Sequence, residues 1–377
     1  IIANESQERM GIVIREEDIE HIRQIADRER APFYVVGETT GDHRFVFEQT
    51  DGVKPIDLAM EDMFGKAPRT VMTDRTVEET YEDVTYDQTQ LDEYVERVLQ
   101  LEAVACKDWL TNKVDRSVTG KIARQQCQGE IQLPLSDCGV VALDYRGRAG
   151  IATSIGHAPQ AALVDPAAGS ILSIAEALTN IVWAPLSEGL DSVSLSANWM
   201  WPCKNEGEDA RLYRAVEACS DFACSLGINI PTGKDSLSMT QKYGKDKVYS
   251  PGTVIISAGA EVSDIRKVVS PVLRTGIDST VYYIDFSFDK LKLGGSAFAQ
   301  SLDKIGKEVP TVQDSEYFAN AFNAVQELIN KELILAGHDI SAGGMITTML
   351  EMNFANTEGG LEVSLDEIPE KDLVKIL

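Results

Sequence analysis

Three short strings combine oxygen-donor side chains with glycine: Leu135-Ser136-Asp137-Cys138-Gly139, Glu176-Ala177-Leu178-Thr179-Asn180, and Gly337-His338-Asp339-Ile340-Ser341-Ala342-Gly343-Gly344. Asp137, Glu176, Asn180 and Asp339 are hard oxygen ligands, the kind Mg²⁺ takes and usually shares with phosphates. The glycines mark places where a helix can begin, and free N–H groups at a helix start bind phosphate. Together the strings read as a Mg-nucleotide site.

Each string also has a plainer reading. Glu176 and Asn180 lie four apart in a strong helical pattern and point from one face, opposite Ala175, Leu178 and Ile181. In isolation that pair is a solvated polar face. Here the lead-in at 166–170 is made of small residues and few charges lie nearby, so a buried Glu176 would need a cation beside it. Asp137 sits between two apolar stretches, either as a turn residue or as a ligand at a strand end. Asp339 and Ser341 follow an expected strand at 333–336 and precede a helix expected at 345–353, where either could simply cap the first turn. His338 reads as a hydrogen-bonded neighbour of that turn. His21, His43 and His157 carry no motif. Gly233-Lys234-Asp235-Ser236 looks like the tail of a phosphate loop but lacks the G-x-x-x-x-G-K-S/T pattern, and Gly294-Gly295-Ser296 is an anion-binding helix start or a packing turn. No Ser or Cys occupies a nucleophile elbow, which argues against nucleophilic catalysis.

The elements that must position these residues follow from periodicity. Near the start, a strand is expected at 11–14, a helix at 16–30, a strand at 33–36 and a strand edge at 43–47. Residues 71–110 are rich in Thr, Glu and Asp, then carry apolar residues at helical spacing, which suggests a linker ending in helices. Beyond it, helices are expected at 159–163, 167–182 and 207–226, and strands at 139–144, 192–196 and 252–262. After Ser270-Pro271 come a strand at 280–286, a helix opened by Gly294-Gly295-Ser296 and an amphipathic helix at 316–331. Strands mixed with segregated helices point to α+β layers.

The bulk properties narrow the function. With 377 residues, 44% of them hydrophobic, two or three domains are expected. Thirty-five basic and sixty acidic residues give a net charge of −25, which repels nucleic acid and anionic membranes. A phosphate-bearing ligand therefore needs a local, metal-screened pocket. Six cysteines without a C-x-x-C pair look like reduced thiols of a cytoplasmic protein, and no apolar run reaches membrane-spanning length. Position 1 is Ile rather than Met, and both ends break off in mid-pattern, so the chain is expected to be a piece of a longer polypeptide.

Taken in order, further strings resemble the long, single-chain formylglycinamide ribonucleotide amidotransferases. They include 4–10, 28–33, 115–120, 154–159, 169–180, 195–200, 207–209, 231–236 and 338–344, besides the Asp137 string. The resemblance covers nearly the whole chain. It implies an α+β fold of aminoimidazole ribonucleotide synthetase-like domains, layered mixed sheets and helices, duplicated in the parent. Residues 1–70 would then be the tail of the first-half C-terminal domain and 71–114 a helical linker. Residues 115–265 would be the second-half N-terminal domain and 266–377 a truncated second-half C-terminal domain. The family converts formylglycinamide ribonucleotide, glutamine and ATP to the amidine, with ammonia tunnelled from a glutaminase domain.

By the same resemblance Asp137, Glu176, Asn180 and Asp339 match Mg²⁺ ligands, and Ser136 and Ser341 match contacts to a tightly bound, non-reacting ADP or ATP. Glu5, Ser6, Gln7, Gly233 and Ser236 match positions near formylglycinamide ribonucleotide. Lys234 and Leu195 depart from the short enzymes, which carry Asn and Asp there. The partners implied are the remaining domains of the same polypeptide, including the glutaminase. With no catalytic residue carried over, the piece is expected to be inactive alone. Two alternatives stand beside this reading: a packing scaffold that binds no nucleotide, and a related ATP-using synthetase of the same fold.

Overall fold

The computed structural model describes residues 9–66, 69–111, 113 and 120–377, which form two compact units dividing between Val71 and Met72. The first unit contains a single helical turn, Glu16–Asp18, running into the helix Ile19–Arg28. An antiparallel hairpin follows, in which Arg44–Phe47 pairs with Ile56–Ala59 and an Arg44–Asp57 ion pair crosses the strands. None of this unit's described residues is buried. The stretches at 11–14 and 33–36, expected to be strands, are not. Val36 is 81% exposed, and β structure requires a neighbour to complete its ladder.

In the second unit a six-stranded mixed sheet is built from β1 (Ile122–Arg124), β2 (Gly139–Ala142), β3 (Gly150–His157), β4 (Ser194–Met200), β5 (Asn229–Ser236) and β6 (Thr253–Val262). Their spatial order is β1-β2-β3-β6-β4-β5, with every neighbouring pair antiparallel except β4 and β5. Two long helices, α1 (Pro166–Ile181) and α2 (Glu208–Ser225), cover one face. The period-2 alternation of β3 shows the consequence: every second residue from Gly150 is buried, while Ile151, Thr153, Ile155 and His157 face outward.

Local chemistry explains the helices. Pro166 occupies the first turn of α1, and the Asp165 carboxylate caps it by accepting from Ala167 N at 2.9 Å. Helix α2 starts at Gly207, with φ of 83° and no capping side chain of its own. Asp74, from the segment before the sheet, accepts instead from the N–H groups of Gly207 (3.2 Å), Asp209 (3.0 Å) and Ala210 (3.3 Å). The segment expected as a linker is thus pinned to the sheet domain. It continues through Tyr81, whose hydroxyl donates to Leu163 O at 3.2 Å, to Tyr86, bonded to Asp372 at 2.6 Å, and then into the helix Leu91–Leu99.

Beyond the sheet, α3 (Ser315–Asn330) and α4 (Gly344–Phe354) are the main helices. Phe318, Phe322, Val325 and Ile329 of α3 enter the same hydrophobic core as α1, α2 and the sheet. Phe318 meets Phe222 and Phe286 edge-on, with centroids 5.8 and 5.4 Å apart. The runs at 280–286 and 333–336, expected to be strands, join no ladder among the described residues, and Tyr282 is 81% exposed. Gly294-Gly295-Ser296 is a packing turn: Ser296 caps the short helix Ala297–Ser301, and a Cβ at Gly295 would press on the backbone of Ala161. All six cysteines are free, and no described helix is long and apolar enough to cross a membrane.

Candidate metal and nucleotide site

Asp137 lies just before β2. The N–H groups of its predecessors Leu135 and Ser136 both donate to Gln126 O, at 2.9 and 3.0 Å, which fixes the approach of this turn. Asp339 arrives on a turn that is held from both sides. Gly337 packs flat against the Trp183 ring, where a Cβ would collide, and its N–H donates to Ser270 O at 3.1 Å. Downstream, Thr348 of α4 donates its hydroxyl to Asp339 O at 2.9 Å. Gly343 and Gly344, with φ of 98° and 75°, are both left-handed, a conformation that glycine alone adopts without strain. Neither Asp339 nor Ser341 caps α4, whose cap residue is Gly343 and carries no side-chain bond.

The two carboxylates, 202 residues apart in sequence, meet around His338. Its Nδ1 lies 2.8 Å from Asp137 Oδ1 and 3.3 Å from Asp339 Oδ1, and Asp339 N donates to Asp137 Oδ2 at 3.4 Å. Ligand atoms of Asp137, His338 and Asp339 all fall within 4.8 Å of one another. The Asp137 and His338 side chains are only 4% and 6% exposed. Burial, and then the charge of Asp339, pushes the Asp137 carboxyl above its usual range. Burial alone would lower the His338 imidazole, but the surrounding carboxylates of Asp137, Asp339 and Glu351 outweigh it and raise it.

Glu176 and Asn180 project from α1 as their spacing requires, but toward β3 rather than into that cluster. The Glu176 carboxylate accepts from His157 N at 2.5 Å, and Asn180 Nδ2 donates to Ile155 O at 2.9 Å. Glu176 still feels the site: burial raises its carboxyl, the His157 N–H opposes that, and the charge of Asp339 adds to it. Ser136 Oγ is buried without a hydrogen-bond partner, and Ser341 is exposed at the head of the turn.

The chemistry of this donor set fits a hard divalent cation. Two buried carboxylates so close together need positive charge; the raised His338 imidazole supplies part of it, and Asp339 Oδ2, buried with no hydrogen-bond partner, is left over for a cation. Asp137 and Asp339 would hold such an ion, with Glu176 and Asn180 the next oxygen donors on the adjoining helix.

The second group of expected residues is dispersed. Glu5, Ser6 and Gln7 lie outside the described residues. Gly233 and Ser236 sit on β5, paired in parallel with Ala197 and Met200 of β4, so this segment is a strand and not a phosphate loop. Gly233 lines a cleft of about 400 Å³ with Trp199, Ile230 and Lys234, and the Lys234 amine contacts the Ser236 hydroxyl. Leu195, where the short enzymes have Asp, is a buried core residue at 2% exposure. One participant escaped the sequence reading. Glu351 of α4 bonds His338 Nε2 at 2.9 Å. It is the one charged residue in an otherwise apolar or small helix, the same signal that marked Glu176.

Comparison with known proteins places these features. Residues 106–261 match the model of the FGAR-AT PurM_N-like domain, and residues 280–375 that of the AIR synthase related protein C-terminal domain. The fold is therefore that of PurM-like N and C domains. The chain is 36% identical to a Dictyostelium discoideum phosphoribosylformylglycinamidine synthase over 98% of its own length and 28% of that protein. It is 37% identical to the Homo sapiens protein of the same name over 99% of its length and 29% of that protein. An Arabidopsis thaliana protein described as probable and chloroplastic/mitochondrial shares 38% identity over 94% of the chain and 26% of its own. The chain thus spans between a quarter and a third of the curated relatives it matches. A solved Thermotoga maritima PurL complexed with ADP is 15% identical with a TM-score of 0.48 over 68% of this chain and 38% of that one, a likeness too low to carry an argument.

Proposed function

Because the chain is a relative of the phosphoribosylformylglycinamidine synthases along nearly its whole length, we propose that it is a nucleotide-binding part of such a ligase. The whole enzyme would convert formylglycinamide ribonucleotide, glutamine and ATP to formylglycinamidine ribonucleotide. In this reading Asp137 and Asp339, with Glu176 and Asn180, hold Mg²⁺ against the phosphates of ADP or ATP, and Ser136 and Ser341 contact the nucleotide. Glu5, Ser6, Gln7, Gly233 and Ser236 serve formylglycinamide ribonucleotide. The bound nucleotide is retained rather than turned over by these residues, and the glutaminase and remaining synthetase parts are partners in the same polypeptide.

The observation that supports this most is the buried pair Asp137 and Asp339, with one carboxylate oxygen left unpaired in the protein. When bound, Mg²⁺ would screen the carboxylates from the phosphates they face. The residues do the rest: the 337–344 turn presents Asp339, while the first N–H groups of α4 are engaged by backbone, Gly344 N donating to Ser341 O and Ile346 N to Leu377 O, each at 3.1 Å.

A second reading has its own support. Glu176 and Asn180 are engaged by the β3 backbone, so this pair also works as a strut between helix and sheet in a scaffold that binds no nucleotide. Asp137→Asn combined with Glu176→Gln separates the two. The ligand reading expects Mg-dependent ADP affinity to fall at least tenfold, whereas unchanged affinity would remove both residues from the ligand set.

A further inference from the structure

We propose that Glu351 is the positioning residue for the Asp137 and Asp339 pair, acting through His338. The inference rests on reading that pair as a metal and nucleotide site. An imidazole carries its two nitrogens on different edges of one rigid ring, so a bond at one nitrogen aims the other. Here Glu351 Oε2 holds Nε2 at 2.9 Å, which places Nδ1 2.8 Å from Asp137 Oδ1 and 3.3 Å from Asp339 Oδ1, ion-pair distances at which Nδ1 makes no formed hydrogen bond. The χ2 torsion of His is broad and nearly two-fold, so nothing intrinsic to the side chain selects this orientation.

Helix α4 holds the site twice, because Thr348 binds the Asp339 carbonyl and Glu351, three residues on and on the same face, binds the ring. The ring then spaces two carboxylates that would otherwise repel. Partners that orient ligating groups from outside typically account for 10- to 100-fold in metal affinity. The Glu351 side chain itself is 30% exposed, so it is anchored by this contact and not by burial.

The test uses the full chain with Glu351→Ala and Glu351→Gln. Alanine keeps the helix and removes the acceptor, while glutamine keeps an oxygen that accepts from Nε2–H. With only 4 histidines in the chain, selective ¹⁵N-histidine labelling resolves the His338 ring nitrogens in ligand-free protein. Calorimetric titration with Mg-ADP reads the affinity. Glu351→Ala should shift the His338 nitrogen resonances and weaken Mg-ADP roughly 10- to 100-fold, with Glu351→Gln restoring both toward wild type. Wild-type resonances in Glu351→Ala would overturn the positioning role. So would unchanged Mg-ADP affinity in that variant. If wild-type protein bound no Mg-ADP, the metal-site reading would fall, whereas the ring resonances would still decide whether Glu351 orients His338.

Discussion

Gln326 offers the sharpest test of how α3 is fastened to the sheet domain. It is 4% exposed, and its amide makes three hydrogen bonds to the chain just past the end of α1. Oε1 accepts from Leu186 N at 2.8 Å, and Nε2 donates to Val182 O at 2.5 Å and Ala184 O at 2.9 Å. All three backbone partners belong to buried residues. Gln326→Met preserves the length and bulk of the side chain while removing every one of these bonds. A hydrogen bond contributes about 1 kcal/mol net, but an orphaned buried group costs about 1–3 kcal/mol. Three backbone groups are orphaned together, so the expected loss is about 3–9 kcal/mol. Gln326→Glu should be worse: it keeps the bond from Leu186 N, loses both donations and buries a charge beside two carbonyls. Urea unfolding followed by far-UV circular dichroism measures both variants against wild type. A Gln326→Met protein within about 0.5 kcal/mol of wild type, the range of an ordinary surface substitution, would refute the reasoning.

Further outcomes follow from the same structure. Phe318→Ala removes a fully buried ring from between Phe222 and Phe286 and should cost about 3–5 kcal/mol in the same unfolding assay. Gly156→Ala would drive a Cβ into the backbone of Ser173 and Ala177, prising β3 from α1; about 1–3 kcal/mol of destabilisation is expected, together with weaker Mg-ADP binding. Asp74 has its carboxyl held below the ordinary 3.8, chiefly by the Arg75 N–H; burial opposes this, and the N–H groups of Gly207, Ala210 and Asp209 each lower it further by less. Its contribution is therefore fully present above 3.8 and is lost as the pH falls through the lower folded value. Pepsin cleavage of the 72–90 segment should rise across that acid range in wild type, and in Asp74→Asn should already be high at its upper end.

The sequence made some elements plain and hid others for identifiable reasons. Helix α1 was legible because Pro166 and the small residues behind it open a long apolar period, and β6 because its apolar run is bounded by turn residues. Strand β3 escaped notice: its buried positions are Gly150, Ala152, Ser154 and Gly156, too small to sound a hydrophobic alternation. They are small because the helix backbone lies against them, with Ser154 Oγ donating to Ala177 O at 2.6 Å. Strand β5 was hidden by Pro231, Gly233 and Lys234, residues tolerated at a sheet edge. The runs at 280–286 and 333–336 misled in the opposite sense, since apolar β-branched character does not create a ladder partner.

At the site, residue types alone marked Asp137 and Asp339 as candidates, but only the fold shows that they meet. The pairing with His338 depends on turns 202 residues apart, which no local pattern encodes. Glu351 was legible in principle, as a lone charge on an apolar helix, yet its partner lies across a turn and not one helical period away. Glu176 and Asn180 obeyed their spacing, and the surprise was the sheet backbone that receives them.

The central claim, that Asp137 and Asp339 anchor a Mg-nucleotide, is tested most directly by thermal unfolding of the chain titrated with ADP in the presence and absence of Mg²⁺. Ligand that binds only the folded state adds about 2.7 kcal/mol at a hundredfold excess over Kd. A saturable rise in Tm that requires Mg²⁺ and is abolished by chelator is the predicted result. An unmoved Tm, in protein that also releases no nucleotide on denaturation, would contradict the claim.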